Sequence, residues 1–281
     1  MDTSYDGNGT MTTTQVQEIE RPDGTIAYES AGVGPLVLCV PGMGDLRASY
    51  RHLVPALVAA GYRVVTTDLR GHGDSSTGFA SYGDEETAGD IEALIDHLGS
   101  PAVVVGNSMG ASAAMITAAR RPELVTGLVL LGPFGRNPKM SRAMGLIMRA
   151  ATAAPWVAIT WKAYLPSLYA GTKPADQAEY TASLLAALRR PGYAAAFSRT
   201  TRLNHDAVER VLPAVKTPSL VLMGELDPDF PDARAEAEWL AHTLGGSAVM
   251  VPDAGHYPQS QRPDIVVPAI ESFLKTVVPR G

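Results

Sequence analysis

Three observations predict an α/β fold whose parallel sheet is covered on both faces. Short runs of purely apolar residues recur along the chain, and a strand buried on both sides needs no polar face. Stretches of helical periodicity alternate with these runs, which is the rhythm of parallel strands joined by crossover helices. That rhythm breaks once, between Pro133 and Asn204, where no strand signal appears and Ala- and Met-rich helical stretches take over.

The elements follow in order. Residues 1–14 are polar, carry Asp2 and Asp6, contain no apolar stretch of an export signal, and read as a floppy tail. Val16 to Glu20 alternates, Pro22-Asp23-Gly24 signals a turn, and Thr25 to Ser30 resumes, which reads as a hairpin. Leu36 to Val40 is an all-apolar strand. Tyr50 to Ala60 reads as a helix with Leu53, Leu57 and Ala60 on its apolar face, ended by Gly61. Tyr62 to Thr67 is a strand and Asp84 to Leu98 a helix with Ile91, Leu94, Ile95 and Leu98 on one side. Ala102 to Val105, a sharp turn and Met109 to Arg121 form a strand–helix unit, followed by a strand from Leu124 to Leu131. After the excursion come a strand at Ser219 to Met223, a helix at Asp232 to Leu244, a strand at Ser247 to Val251 and a closing helix at Pro263 to Val277. The expected organisation is a core of residues 15–132 and 205–281 with a helical cap, residues 133–204, lying over the sheet.

Composition narrows the function. The 281 residues include 46% hydrophobic side chains, enough for a sizeable core, and net −6 from 23 basic and 29 acidic groups. A field of that sign opposes nucleic-acid backbones and anionic lipid, so neither nucleic acid nor membrane is an expected partner. One cysteine cannot form an internal disulfide or a thiolate metal site, and a reducing, cytoplasmic location fits best. The uncharged run Pro101 to Ala119 is interrupted by Gly106, Asn107, Ser108 and Gly110 and reads as strand, turn and helix rather than a membrane span. There is no metal-ligand constellation and no G-x-x-x-x-G-K-[ST] phosphate loop, so no cofactor is expected and the partner is a small-molecule substrate; the oligomeric state stays open.

The chemistry centres on Gly106-Asn107-Ser108-Met109-Gly110, a G-x-S-x-G pattern that follows a Val-rich strand and opens a helix. A serine on such a turn projects above the carboxyl ends of the strands, and small residues two before and two after let neighbouring chain pass close. The hydroxyl needs a base and the base an orienting acid. His256, in Asp253-Ala254-Gly255-His256 after the last strand, falls at the same sheet edge; His72 is a rival in a loop, His205 follows the cap with a surface role expected and substrate contact as the alternative, and His52, His97 and His242 sit in or beside helices. Asp227, in Gly224-Glu225-Leu226-Asp227-Pro228-Asp229, is the candidate acid, with Asp229 and Glu225 as alternatives. Backbone N–H groups of Met109 and of Met43, in Pro41-Gly42-Met43-Gly44, are the candidate oxyanion donors.

Together with Asp68-Leu69-Arg70-Gly71-His72-Gly73-Asp74-Ser75, these motifs resemble the α/β-hydrolase superfamily from about Thr25 to the C-terminus. The resemblance implies an eight-stranded, mostly parallel sheet, a cap after the sixth strand, and the order Ser108, Asp227, His256 as nucleophile, acid and base. It also moves His72 into a loop that shapes the floor of the site. One departure is that members usually carry His-Gly where this chain has Pro41-Gly42, which leaves open what braces the oxyanion loop. Ser108 argues against the haloalkane and epoxide chemistries that use Asp as nucleophile. The expected reaction is hydrolysis of a carboxylic ester or lactone with an apolar acyl or aromatic group. Gly42, Phe134, Met140, Trp156, Trp161 and Tyr257 are the candidates for contact with substrate. Asn107 and the residues after it also resemble meta-cleavage C–C hydrolases, with Tyr257 where those carry Trp and Arg199 or Arg202 as a possible carboxylate binder. A ligand sensor that retains the three residues is the reading from another class.

Overall fold

The computed structural model describes residues 3–5, 11–13, 15–138 and 141–278. Strands β1 (Thr3–Tyr5) and β2 (Met11–Thr13) pair antiparallel as a separate small ribbon, where the sequence reading expected an unstructured tail.

The main sheet has eight strands: β3 (Gln17–Arg21), β4 (Gly24–Ala31), β5 (Leu36–Val40), β6 (Arg63–Thr67), β7 (Ala102–Asn107), β8 (Val125–Leu131), β9 (Ser219–Gly224) and β10 (Ser247–Val251). Their spatial order is β10-β9-β8-β7-β5-β6-β4-β3; the hairpin β3–β4 and the β4–β6 pair are antiparallel and the rest parallel. The apolar runs are explained by two buried faces. Leu36, Leu38 and Val40 point into one core and Val37 and Cys39 into the other; Leu128 and Leu130 oppose Val129 and Leu131 in the same way. Helices α2 (Asp84–Leu98), α3 (Met109–Arg120) and α9 (Ala233–Leu244) cover the first face through residues such as Ile91, Ile116 and Leu240. The second is covered by α1 (Val54–Ala59) and α11 (Pro263–Val277) through Leu57, Val266, Ile270 and Leu274.

The first helix departs from expectation. A 3₁₀ turn at Arg47–Tyr50 precedes it, α1 begins only at Val54, and Ala60 is exposed. Pro55 explains the late start: it lacks an N–H and is tolerated only in a first helical turn.

Among the described residues, five α-helices lie between β8, the sixth strand of the main sheet, and β9, the first four being α4 (Arg142–Ala151), α5 (Val157–Leu168), α6 (Gln177–Leu188) and α7 (Tyr193–Thr200). Next, α8 (Asp206–Val211) returns to the first core through Val208. From β5 the chain goes first to β6 on one side and later to β7 on the other. This reversal opens a crevice at the carboxyl ends of the strands, where ligands bind in such sheets. Among the described residues, no helix is long and apolar enough to cross a membrane.

Candidate active site

Ser108 is the single residue between β7 and α3, and its φ of 52° puts a non-glycine residue at positive φ. Such a conformation costs about 1–3 kcal/mol and persists only where its surroundings over-determine it. Here Ser108 N–H donates to Leu131 O at 2.9 Å, and its own carbonyl accepts from Ala111 N–H at 3.0 Å. The flanking glycines are steric requirements. A Cβ at Gly106 would lie 2.6 Å from Ala111 N, and one at Gly110 would overlap the Val40 carbonyl oxygen. Gly42 abuts Ser108 as well, since a Cβ there would lie 2.9 Å from Ser108 Cβ. The Asn107 side-chain amide donates to Leu131 O at 3.0 Å and to His256 O at 3.1 Å, tying the serine turn to the histidine loop.

His256 Nδ1 is 2.7 Å from Asp227 Oδ2, with both residues buried. An Nδ1–H donor to that carboxylate leaves Nε2 available toward the crevice. Ser108 Oγ and His256 Nε2 share no hydrogen bond, and neither is among the fully buried polar atoms that lack a partner, so both keep access to solvent. Asp229 supplies a second carboxylate, with Oδ2 3.5 Å from the same Nδ1. Its N–H donates to Asp227 Oδ1 at 3.0 Å, and its Oδ1 accepts from the Tyr164 hydroxyl on α5. Burial by itself would lower the His256 pKa; the charges of Asp227 and Asp229 overcome this and push it up to about 9.

These three residues offer one donor atom each, all within 4.8 Å of one another, which is close enough to hold a cation. The nitrogen facing both carboxylates is the one hydrogen-bonded to Asp227, so the cluster has the form of an ion-paired dyad with an added acid.

On the other side of Ser108, the Met43 and Met109 N–H groups have no acceptor among the described residues. The brace left open by Pro41 comes from elsewhere. Gly44 N–H donates to His72 Nε2 at 2.9 Å, while His72 Nδ1 donates to Arg70 O at 3.0 Å. Burial lowers the His72 pKa, in keeping with a neutral ring. Trp161 Nε1–H holds the Gly44 carbonyl at 2.9 Å, and Gly44, at φ +71°, has no room for a Cβ beneath that indole. Both backbone polar groups of Gly44 are therefore held, the N–H by the His72 loop and the carbonyl by α5. Beside it, Asp45 is buried and bonded to the Tyr180 hydroxyl, and burial raises its pKa to about 6.

The candidate substrate contacts divide. Phe134 lies 6.2 Å from the His256 ring, centroid to centroid, and Trp161 sits against the oxyanion loop. Tyr257 is buried, edge-on to His256 at 5.4 Å and tilted against Tyr169 at 4.8 Å, so it packs beneath the helices above. Trp156 is exposed, because its indole N–H is spent on Ala150 O at the end of α4. Met140 lies outside the described residues. His205, expected at the surface, is buried: Nδ1 is 2.7 Å from Asp84 Oδ2 and its ring stacks on Phe134 at 5.0 Å. Arg199 donates to the carbonyls of Phe79 and Ala80, and Arg202 Nε to Ser198 O, so both guanidinium groups are engaged away from Ser108. The roles of Asp229, Trp161 and Asp45 were missed. From the sequence, Asp229 stood only as an alternative acid and Trp161 only as a candidate substrate contact, and Asp45 was not singled out.

Comparison with known proteins identifies the family. The profile of the Alpha/beta hydrolase family matches residues 37–269. The chain is 28% identical over 267 residues to the sn-1-specific diacylglycerol lipase of Mus musculus, covering 85% of this chain and 81% of that protein. Among solved structures, a thermophilic esterase from Thermogutta terrifontis superposes with a TM-score of 0.78 at 27% identity, covering 94% of this chain and all of that one. An epoxide hydrolase from Vigna radiata reaches the same TM-score at 23% identity over 94% and 98% of the two chains, a likeness of fold alone. The matched profile takes in the turn at Ser108 and the loops that carry Asp227 and His256, and the chain belongs to the alpha/beta hydrolase family.

Proposed function

We propose that the chain is a serine hydrolase of carboxylic esters or lactones working through an acyl-enzyme. The observation that carries this reading is Ser108 held at positive φ at one rim of the sheet with the buried His256–Asp227 pair. Ser108 Oγ attacks the carbonyl carbon and His256 Nε2 takes its proton. The oxyanion is bound by the N–H groups of Met43 and Met109. The proton then passes to the departing alkoxide, and water repeats the sequence to release the acid. Asp227 keeps the imidazole in the useful tautomer and balances its charge. Relatives that are an esterase and a diacylglycerol lipase support ester chemistry, as does serine at position 108. The engagement of Arg199 and Arg202 with backbone carbonyls takes support from the C–C hydrolase reading, which needs a free cation for a substrate carboxylate.

A fluorophosphonate probe, combined with p-nitrophenyl esters of graded chain length, tests the proposal. Covalent labelling of Ser108 and turnover of the esters are expected. A folded protein that neither labels nor turns over would sink it.

A further inference from the structure

Charge is unevenly spread along this chain. Between Leu124 and Ala175 there is no acidic residue, and there are six basic ones: Arg136, Lys139, Arg142, Arg149, Lys162 and Lys173. The remainder, with 17 basic and 29 acidic residues, nets −12. The same stretch concentrates exposed apolar surface. Among the described residues, seven of the ten exposed large apolar side chains fall between Met144 and Tyr164, including Leu146 (69% exposed), Ile147 (59%) and Ile159 (72%). No described α4 side chain is buried. Met144, Ile147 and Met148 recur at helical spacing on one side, with Arg149 on the other. The indole N–H of Trp156 bonds Ala150 O and the Thr160 hydroxyl bonds Ala151 O, so the end of α4 and the start of α5 are joined into one ridge.

We propose that the α4–α5 ridge docks on an anionic lipid surface. Leu146, Ile147 and Ile159 enter the headgroup boundary while Arg149 and Lys162 face the lipid phosphates. An apolar helix face whose own charged side chains are all cationic is the composition that binds such an interface. A second copy of the chain is disfavoured as the occupant, because two such faces would bring like charges together. The net charge of −12 on the remainder of the chain repels an anionic surface, so this stretch also sets the orientation. Helix α5 then lies at the lipid with Trp161 and Tyr164 still gripping Gly44 and Asp229. The docking does not depend on the hydrolase reading.

Co-flotation of the full chain tests this with two kinds of vesicle: equimolar phosphatidylglycerol and phosphatidylcholine, or phosphatidylcholine alone. Binding to the anionic vesicles that weakens at high salt is expected. Leu146→Ser/Ile147→Ser and Arg149→Glu/Lys162→Glu should each lower the partition coefficient at least about tenfold, with unchanged circular dichroism because these side chains are exposed. Ser108→Ala should float like the parent. No flotation, flotation indifferent to both pairs of substitutions, or a dimer abolished by Leu146→Ser/Ile147→Ser would overturn the proposal, the last by putting a second copy on the ridge. Flotation without fluorophosphonate labelling would leave the docking standing and remove the hydrolase reading.

Discussion

The rim of the sheet and the α4–α5 ridge are built on opposite physical terms. At the rim, backbone approaches backbone so closely that Gly106 and Gly110 admit no side chain and a serine is held at positive φ. On the ridge, large apolar side chains stand in solvent and few hydrogen bonds tie α4 down. Chemistry that must hold atoms in place sits where packing over-determines the backbone, and surface that must meet a variable partner sits where it does not. Among the described residues, three bonds join α5 to the rim: Trp161 to Gly44, Tyr164 to Asp229, and His256 N–H to Leu168 O at 2.8 Å. Through them α5 reaches both the oxyanion loop and the acid side of the site.

The sharpest way to break this contrast is at the nucleophile. Ser108→Ala should lower ester turnover on the order of 10⁶-fold with little change in melting temperature. Comparable residual turnover in that variant would move the chemistry elsewhere. Gly110→Ala is next. The added Cβ overlaps the Val40 carbonyl, so a loss of about 3 kcal/mol in denaturant unfolding is expected along with lost activity. A stable, active variant would mean that the rim yields more easily than its packing implies.

The crossing bonds allow finer tests. Trp161→Phe keeps the ring and removes the donor to Gly44 O, and kcat should fall about tenfold with KM changing little. A change in KM alone would make Trp161 a substrate wall rather than a brace. Asp229→Asn removes one of the charges that raise His256. The imidazole must be neutral to accept the serine proton, so activity of the parent should climb with pH toward about 9, and the variant should reach the same plateau at lower pH. The charged groups facing the ring are Asp227, Asp229 and, farther off, Asp45; only Asp229 is removed. The linked effect on stability has a defined sign. The folded His256 value lies above its unfolded value of about 6.5, so the ion pair contributes fully below that pH and is lost as pH rises through about 9. The melting temperature should fall across that window in the parent and less so in the variant. The smallest effect is expected on the ridge, where Leu146→Ser should change stability by no more than about 0.5 kcal/mol.

Much of the site was readable along the chain because local rules carried it. The G-x-S-x-G turn marks Ser108 as the candidate nucleophile through its context, an apolar strand before it and an Ala-rich helix after it. The acid and histidine loops each follow a recognisable strand. The residues that escaped are those whose role depends on a distant partner. Nothing near Trp161 in sequence points to Gly44, 117 residues away, and nothing near Tyr164 points to Asp229. His205 was misplaced for the same reason: its position after the cap is polar and exposed-looking, while its partner Asp84 lies 121 residues earlier. The net charge is likewise a sum over the chain, in which the acid-free stretch from Leu124 to Ala175 does not show.

By itself the sequence determined the α/β rhythm, the two-faced burial of the strands and the places where a nucleophile, an acid and a base could stand, since periodicity and turn chemistry act over a few residues. Only the tertiary structure decided that Asp227 rather than its neighbours makes the short bond to His256, that Asp229 adds a second charge, and that α5 grips the loop beside the serine. Those are through-space contacts between chain segments far apart in sequence, and hydrogen-bond geometry and burial exist only once the sheet has brought the segments together.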